Sequence, residues 1–367
     1  MKYVGIDLHK KTIAVCVVNK ERTVLMRQRF LCVDVKGIVV WFGKLGAFEF
    51  VVEAMGTYDW LVDLLEPLAQ AWVLANPGKM RVIAETAKKT DREDAQTLAE
   101  FLALGMIPRA YRPPARIREH RKLVRYRVQC RQRVSRLKCQ IRFLAATYNA
   151  DHRQLFQPEY LEELQQRSDL TAADRFILEQ RLLDYEEALQ RMKTATKHLQ
   201  QFAKEGSEAE QRQREIVQSA PGFGAVLSEV VLAELGDASR FGSLKHATAY
   251  GGLVPGTRES AGKGKELGIT KRGSRLLRWA MVEGAWIAVL NSPRWRGIYE
   301  ALKKRRGAKR AIVAVARRLL AVLVSMLKSG TKYRPSLAEL KERDARTERR
   351  QKQRRAAEAV RDAAAVA

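Results

Sequence analysis

The sequence predicts an N-terminal α/β domain followed by a mostly helical chain, and three observations support this. The first part of the chain alternates short Val- and Ile-rich segments with segments of helical periodicity. The segment "YRPPAR" at residues 111 to 116 then contains paired prolines, which break both helices and sheet ladders. Beyond it, long charged segments carry apolar residues at helical spacing.

Three short strands begin the first domain, because segments rich in Val, Ile, Leu and Thr are separated only by brief polar breaks. These strands are predicted over residues 2 to 8, 11 to 18 and 22 to 31. The segment "DVKGIVVWFGKL" then predicts a helix, and "AFEFVVEA" predicts a buried strand that ends at Glu53.

The rest of the first domain continues this alternation. "TYDWLVDLLEPLA" has a helical stripe of apolar residues, "AWVLA" predicts a fifth strand, and a helix is predicted from Thr90 to about Leu104. The order of three strands, helix, strand, helix, strand, helix is typical of an RNase H-like domain with a mixed sheet.

A long basic helix is predicted next, since residues 112 to 142 contain twelve Lys or Arg and a single acidic residue, Glu119. A narrow apolar seam follows its length, formed by Val124, Val128, Leu137, Ile141 and Leu144. This helix is a candidate for binding a nucleic-acid backbone.

A second apolar seam has the 3-4-3-4-3 spacing of a coiled coil, at Leu182, Tyr185, Leu189, Met192, Thr196 and Leu199. Fewer than three heptads leave two interpretations open. The seam belongs either to a helical hairpin packed on itself or to an intermolecular coil that drives self-association.

The last domain opens with "QSAPGFGAVLSEVVLAELGD" at residues 218 to 237. Gly222 and Gly224 before an apolar helix suit a phosphate-binding, helix-hairpin-helix-like turn, although packing or turn geometry is the commoner reason for such glycines. Six glycines between residues 251 and 268 predict a long functional or mobile loop. The predicted segments are therefore 1–110, 111–210, 211–335 and a charged, flexible tail at 336–367.

The charge of the chain indicates a polyanionic partner. Its 367 residues contain 68 Lys or Arg against 41 Asp or Glu, a formal net charge of +27. Clustering of that charge favours nucleic acid over a merely solvated surface. The four cysteines form no C-x-x-C pair and suit a reducing compartment. Arg317 and Arg318 interrupt the longest apolar stretch, so no membrane span is predicted, and we expect a cytoplasmic, nucleoid-associated protein.

Four carboxylates occupy the positions where an RNase H-like fold carries catalytic acids. Asp7 follows the apolar residues of the first strand, Glu53 ends the fourth, and Asp91 and Asp94 share one face of a helix. Such a set would repel itself unless cations neutralised it, and Mg²⁺ prefers hard oxygen ligands. The alternative is a capping box, in which Thr90 and Glu93 start the helix and Asp91 complements its dipole.

The segments "YVGIDLHKKT", "VVEAMGTYDW", "KKTDREDAQTLA" and "APGFG…GLVPGTRESAGKGK…GITKRGSRLLRWA" resemble insertion-sequence transposases of the IS one-ten family. The resemblance covers roughly residues 3 to 330. It implies a RuvC-like domain with a DEDD acidic set at Asp7, Glu53, Asp91 and Asp94, a coiled-coil segment, and a transposase domain with a nucleophilic serine. That serine would be Ser260, although Ala261 replaces a glycine that is usual after it.

The resemblance further implies a recombinase guided by a structured bridge RNA, acting on double-stranded DNA as a dimer or tetramer. Acids and serine lie in different predicted domains, so the site is expected to be composite, with different protomers contributing the two halves. Ser274 is expected to cap a helix instead. The residues expected to bind nucleic acid are Arg125, Arg131, Arg136, Gly222, Gly224, Lys263, Lys265, Lys271, Arg272 and Arg275.

Two other functions remain open at this point. A metal-dependent nuclease of Holliday-junction resolvase type would use water as its nucleophile and would not need Ser260. A non-catalytic RNA- or DNA-binding protein would need neither the serine nor the acids, and the four intact carboxylates argue against it.

Overall fold

The computed structural model describes residues 1–83, 91–260, 263–342, 344–345, 347–349 and 351 of the chain. The chain forms two compact units, Met1–Arg112 and Pro113–Ala367. The boundary between them falls in the double-proline segment. The finer division of the second unit near residues 210 and 335 stays a prediction.

The first unit is built on a five-stranded mixed sheet with the strand order β3-β2-β1-β4-β5. β1 pairs antiparallel with β2 and parallel with β4. The strands are β1 (Lys2–Leu8), β2 (Thr12–Val18), β3 (Val24–Leu31), β4 (Phe48–Glu53) and β5 (Ala71–Ala75).

Helices cover both faces of this sheet. They are α1 (Val35–Gly43), α2 (Asp59–Leu65), α3 (Pro77–Ile83) and α4 (Asp91–Ala103). Side chains alternate between the faces of a strand, so Ile6 and Val52 pack with residues of α1 and α2. Val51 packs on the other face, with residues of α3 and α4. The sequence did not predict α3, and the predicted helix start at Thr90 lies outside the described residues.

The second unit is mostly helical, as predicted. Its elements are α5 (Ala115–Thr147), α6 (Pro158–Gln166), α7 (Ala172–Lys204), α8 (Glu208–Ser219), α9 (Ala225–Leu235), α10 (Leu244–Tyr250), β6 (Pro255–Ser260), β7 (Lys263–Ile269), α11 (Arg275–Asn291), α12 (Pro293–Arg306) and α13 (Ala308–Ser329). α13 and α11 together supply nearly half of the buried side chains of its largest core cluster. Within the described residues, no helix is long and apolar enough to span a bilayer.

The two 33-residue helices α5 and α7 pack against each other as an antiparallel hairpin. Tyr148 at the end of α5 hydrogen-bonds Asp174 near the start of α7. Arg127 in the first half of α5 hydrogen-bonds Thr196 in the second half of α7. Leu182 and Tyr185 of the predicted seam are buried against apolar residues of α5. The structure therefore shows the hairpin alternative, with the seam covered inside one chain.

The charged tail begins with a short capped helix. Residues 337–342 are helical, and Glu339 is only 6% exposed. Ser336 accepts a hydrogen bond from the Glu339 amide, and the Glu339 carboxylate accepts one from the Ser336 amide. This reciprocal capping box starts a short helix at the beginning of the tail, and the flexibility of the tail stays a prediction.

Candidate active site and nucleic-acid interface

Asp7 and Glu53 lie on neighbouring parallel strands. The register pairs Ile6 of β1 with Val52 of β4, so the next positions along the two strands are those of the two acids. Adjacent strands are about 4.8 Å apart, and residues in register point to the same face. Asp7 is mostly buried, with 13% of its side chain exposed, and Glu53 is half-buried.

A close approach between β1 and α4 occurs at Gly5. A Cβ atom at this position would lie 2.0 Å from the carbonyl oxygen of Ala95 and 2.4 Å from the amide nitrogen of Ala99. The absence of a side chain thus lets the helix backbone rest directly on the strand. Asp7 is two residues beyond Gly5 and therefore faces the same side of the sheet as α4.

Positions 91 and 94 of α4 lie one helical turn before two residues that the helix buries against the sheet. Ala95 and Leu98 are buried against the sheet, and positions 91 and 94 precede them by four residues each. Residues four apart share a helix face. Asp94 is half-buried, whereas the side chain of Asp91 lies outside what the structure describes.

His9 is a neighbour of the acidic set that the sequence analysis missed. Its Nε2 lies 2.9 Å from Asp7 Oδ2, and 42% of its side chain is exposed. The signal was present in "GIDLH", because a polar side chain two residues after Asp7 projects from the same face of the strand.

The donor set at this sheet edge has the chemistry that Mg²⁺ requires, since carboxylate oxygens are its usual protein ligands. Among the described residues, which exclude the Asp91 side chain, no group of three or more His, Cys, Asp or Glu is arranged to hold a metal ion. The geometry thus pairs two acids across neighbouring strands and sets the start of α4 beside them.

Ser260 ends β6, and this corrects the loop predicted between residues 251 and 268. β6 and β7 form an antiparallel hairpin in which Ser260 pairs with Lys263. Glycines dominated the sequence interpretation, but glycine weakens strand propensity without preventing backbone pairing. Ser260 therefore stands beside the tip of a hairpin whose residues 261 and 262 lie outside the described part of the chain.

Backbone hydrogen bonds hold the base of this hairpin. The amide of Thr270 donates to the carbonyl of Val254, and that of Ser274 donates to Tyr250. Ser274 also accepts a hydrogen bond from the Leu277 amide at 3.0 Å, so its predicted role as a helix cap is confirmed. Lys271, Arg272 and Arg275 are exposed around this base, whereas nothing is described of the Lys263 and Lys265 side chains.

Gly222 serves packing in the second unit. It has a φ of +94°, and a Cβ there would lie 2.1 Å from the carbonyl oxygen of Gly284 in α11. Gly224 is the residue before α9, and no atom would lie within 4 Å of a Cβ there. The alternative of packing or turn geometry therefore accounts for Gly222.

Much of the positive charge on α5 is engaged inside the second unit. The Arg125 guanidinium makes two hydrogen bonds, of 2.8 and 3.1 Å, to the buried carboxylate of Glu234, which raises the pKa of Arg125. Arg131 lies 5.2 Å from the ring centre of Trp279. Arg136 is exposed and makes no ion pair with a described residue.

A buried ion pair links α5, α8 and α9. His120 Nε2 lies 2.7 Å from one oxygen of Glu229, and Arg214 donates a 2.9 Å hydrogen bond to the other. Burial raises the pKa of the Glu229 carboxyl, but His120 and Arg214 together outweigh burial and hold that pKa below its usual value.

Two family models match the chain in its two halves. Residues 4–149 match the DEDD transposase model, and residues 214–300 match the transposase model of the IS116/IS110/IS902 family. The transposase for insertion sequence element IS1111A of Coxiella burnetii is 26% identical over 340 residues, covering 91% of this chain and 92% of its own.

Shorter matches concern proteins of other insertion elements. An uncharacterized 42 kDa protein of IS900 from Mycobacterium paratuberculosis is 35% identical over 129 residues, 34% of this chain and 32% of its own. One of 43.6 kDa from IS110 of Streptomyces coelicolor is 30% identical over 119 residues, 32% of this chain and 29% of its own.

The mixed sheet, its acidic edge and the helical second unit define a transposase of the DEDD type. The chain belongs to the IS116/IS110/IS902 family of transposases, and it is an enzyme of a mobile element.

Proposed function

We propose that this transposase cuts and rejoins double-stranded DNA with Ser260 as its nucleophile and an acidic, Mg²⁺-dependent site at Asp7, Glu53, Asp91 and Asp94. The observation that carries the proposal is the parallel pairing of β1 with β4, which makes Asp7 and Glu53 neighbours at one sheet edge. Membership of the transposase family supplies the substrate class, DNA.

The acidic half of the proposal is supported by the packing at Gly5. Because α4 rests on β1 at Ala95 and Ala99, the turn that contains positions 91 and 94 begins one helical turn, about 5.4 Å, from this contact. When bound, Mg²⁺ would neutralise the carboxylates and stabilise the charge that develops on the phosphate. His9 would orient the Asp7 carboxylate through its 2.9 Å contact.

The serine half of the proposal is supported by the hairpin. A nucleophile beside a hairpin tip can approach a DNA backbone, and the Ser274 cap fixes the helix that follows the hairpin. Ser260 Oγ would lose its proton and form a bond to phosphorus while the bond from phosphorus to the departing sugar oxygen breaks. That oxygen would take up a proton and leave as a hydroxyl. Lys271, Arg272 and Arg275, exposed at the base, would bind neighbouring phosphates together with Lys263 and Lys265.

We further propose that a structured bridge RNA guides the reaction and that a dimer or tetramer assembles the composite site. The support is the net charge of +27, which exceeds what a single scissile phosphate requires. Exposed basic side chains such as Arg136 offer a surface for an RNA backbone.

The test separates the two halves of the site. Ser260→Ala should abolish strand exchange and the covalent protein–DNA adduct, and Asp94→Asn should abolish cleavage while DNA binding persists. Ser274→Ala is the matched serine control. It removes a helix cap and a hydrogen bond to Glu234, both inside the second unit, and should retain adduct formation. Mg²⁺-dependent cleavage by Ser260→Ala, without any adduct in the wild type, would instead support the resolvase-type nuclease.

A discrete RNA should be recovered when the protein is purified from cells that carry its element. Sequencing of the co-purified nucleic acid would decide this point. Random fragments in place of one RNA would contradict the guided reaction but would leave the serine chemistry standing.

A further inference from the structure

The turn between α12 and α13 carries a cluster of cations that the proposed active site does not use. We define the basic turn as residues 304 to 310, which contain Lys304, Arg305, Arg306, Lys309 and Arg310. All five side chains are exposed, and none of them forms an ion pair or a side-chain hydrogen bond with a described residue. The nearest ion pair on α12 joins Lys303 to Glu300.

Helix stability accounts for the three cations of α12 but not for the two of α13. The cations in the last turn of α12 complement the negative end of its dipole. Lys309 and Arg310 lie in the first turn of α13, where positive charge is unfavourable. Gly307, with a φ of +76°, joins the two helices directly and so brings both groups of cations to one turn.

The contrast with α5 indicates what this charge is for. Arg121 and Arg125 of α5 are bound to α9 through its last carbonyl groups and Glu234. Their charge stabilises the fold, whereas that of the basic turn is exposed and compensated by no described carboxylate. Cations held together against mutual repulsion are typical of a surface for a polyanion.

We infer that the basic turn binds the phosphate backbone of duplex DNA outside the segment that is cut. This inference rests on the proposed function for its substrate. Duplex DNA is favoured over a single strand, because single strands are held by aromatic stacking as well as charge. The basic turn contains no aromatic residue, and Tyr299 of α12 is buried.

The experiment measures the salt dependence of DNA binding by the full chain. The variant replaces the five cations of the basic turn by glutamine, which keeps helix propensity close to that of Lys and Arg. The matched control replaces five scattered exposed lysines, Lys20, Lys36, Lys44, Lys193 and Lys197. Both variants lower the formal charge of +27 by five, so the loss of net charge is the same in both and its location differs.

The probe is a fluorescent duplex DNA of arbitrary sequence, titrated between about 50 and 200 mM salt. Log K falls with log salt, and each lost phosphate contact makes this line less steep by about 0.9. The line for the basic-turn variant should therefore be less steep than that of the wild type by about 2 to 4.5. The line for the control should change by less than about 1.

Three results would overturn the inference. The first is an equal change of slope in the two variants, and the second is a wild-type slope in the basic-turn variant. The third is a basic-turn variant that binds a structured RNA more weakly while its binding to duplex DNA is unchanged. Failure of the wild type to bind duplex DNA at all would contradict the proposed function itself, so the two failures are distinguishable.

A thermal melt of the double variant Lys309→Gln, Arg310→Gln provides an independent readout. Removal of two cations from the first turn of α13 should leave Tm unchanged or higher. A clear fall in Tm would show that the two residues serve the fold, and would contradict their assignment to DNA.

Discussion

The contact between Gly5 and α4 can be tested with a single methyl group. In Gly5→Ala the new Cβ would lie 2.0 Å from the carbonyl oxygen of Ala95 and 2.4 Å from the amide nitrogen of Ala99. Both atoms belong to the helix backbone, so no side chain can turn away to relieve the overlap. Real Cβ contacts essentially never fall below 3.0 Å, and α4 must therefore move by about 1 Å.

Two effects of this movement are expected. Overpacking of this kind costs about 1–3 kcal/mol of folding stability. A displacement of about 1 Å at groups that position a reaction can cost about 100-fold in rate, because positions 91 and 94 move with the helix. Urea denaturation measures the first effect, and a plasmid recombination assay measures the second.

Gly43→Ala is the matched control for Gly5→Ala. Gly43 is the last residue of α1, and no atom lies within 4 Å of a Cβ built there. Alanine is favoured over glycine in a helix by about 1 kcal/mol, so this variant should be as stable as the wild type or slightly more so. A Gly5→Ala protein that matches Gly43→Ala in stability and activity would refute the reasoning about the site.

Three further substitutions test the fold around the site. Leu182→Ala should lower the free energy of unfolding by about 2–5 kcal/mol at any protein concentration, because α5 of the same chain covers this residue. Leu183 is 61% exposed, so the control Leu183→Ala should change that free energy by less than about 0.5 kcal/mol. Ser336→Ala removes a helix cap and should lower the free energy of unfolding, measured by urea denaturation, by about 1 kcal/mol. The pKa of Glu229 in the folded protein lies below its unfolded value near 4.5. The ionised carboxylate therefore stabilises the fold above pH 4.5. This stabilisation is lost as the pH falls through the pKa of the folded state. Urea midpoints should therefore fall more steeply on acidification in the wild type than in Glu229→Gln.

The first unit was predictable from sequence because local and long-range signals agree there. Apolar strands at residues 2 to 8 and 71 to 75 were bounded by polar breaks, and the structure has β1 and β5 at those residues. The mixed sheet followed from the order of elements, whereas the direction of the β1–β4 pairing is seen only in the structure. The contact at Gly5 could not be predicted, since it depends on how closely a helix approaches and not on periodicity.

The second unit shows the limits of local patterns. The seam at residues 182 to 199 has the same spacing whether its partner is α5 or another chain, so only the structure distinguishes the alternatives. Six glycines concealed the β6–β7 hairpin, because glycine weakens strand propensity without preventing backbone pairing. Charge counting found the basic helix α5 but could not reveal that Arg121 and Arg125 are bound to α9.

The central claim is that a serine oxygen becomes bonded to DNA phosphate. The most direct measurement is mass spectrometry of peptides from the protein–DNA adduct that forms in a wild-type reaction stopped by denaturation. A phosphodiester-linked nucleotide on the peptide that contains Ser260, absent in Ser260→Ala and retained in Ser274→Ala, is the predicted result. DNA strands cut by the wild type without any attached peptide, or attached through another residue, would contradict it.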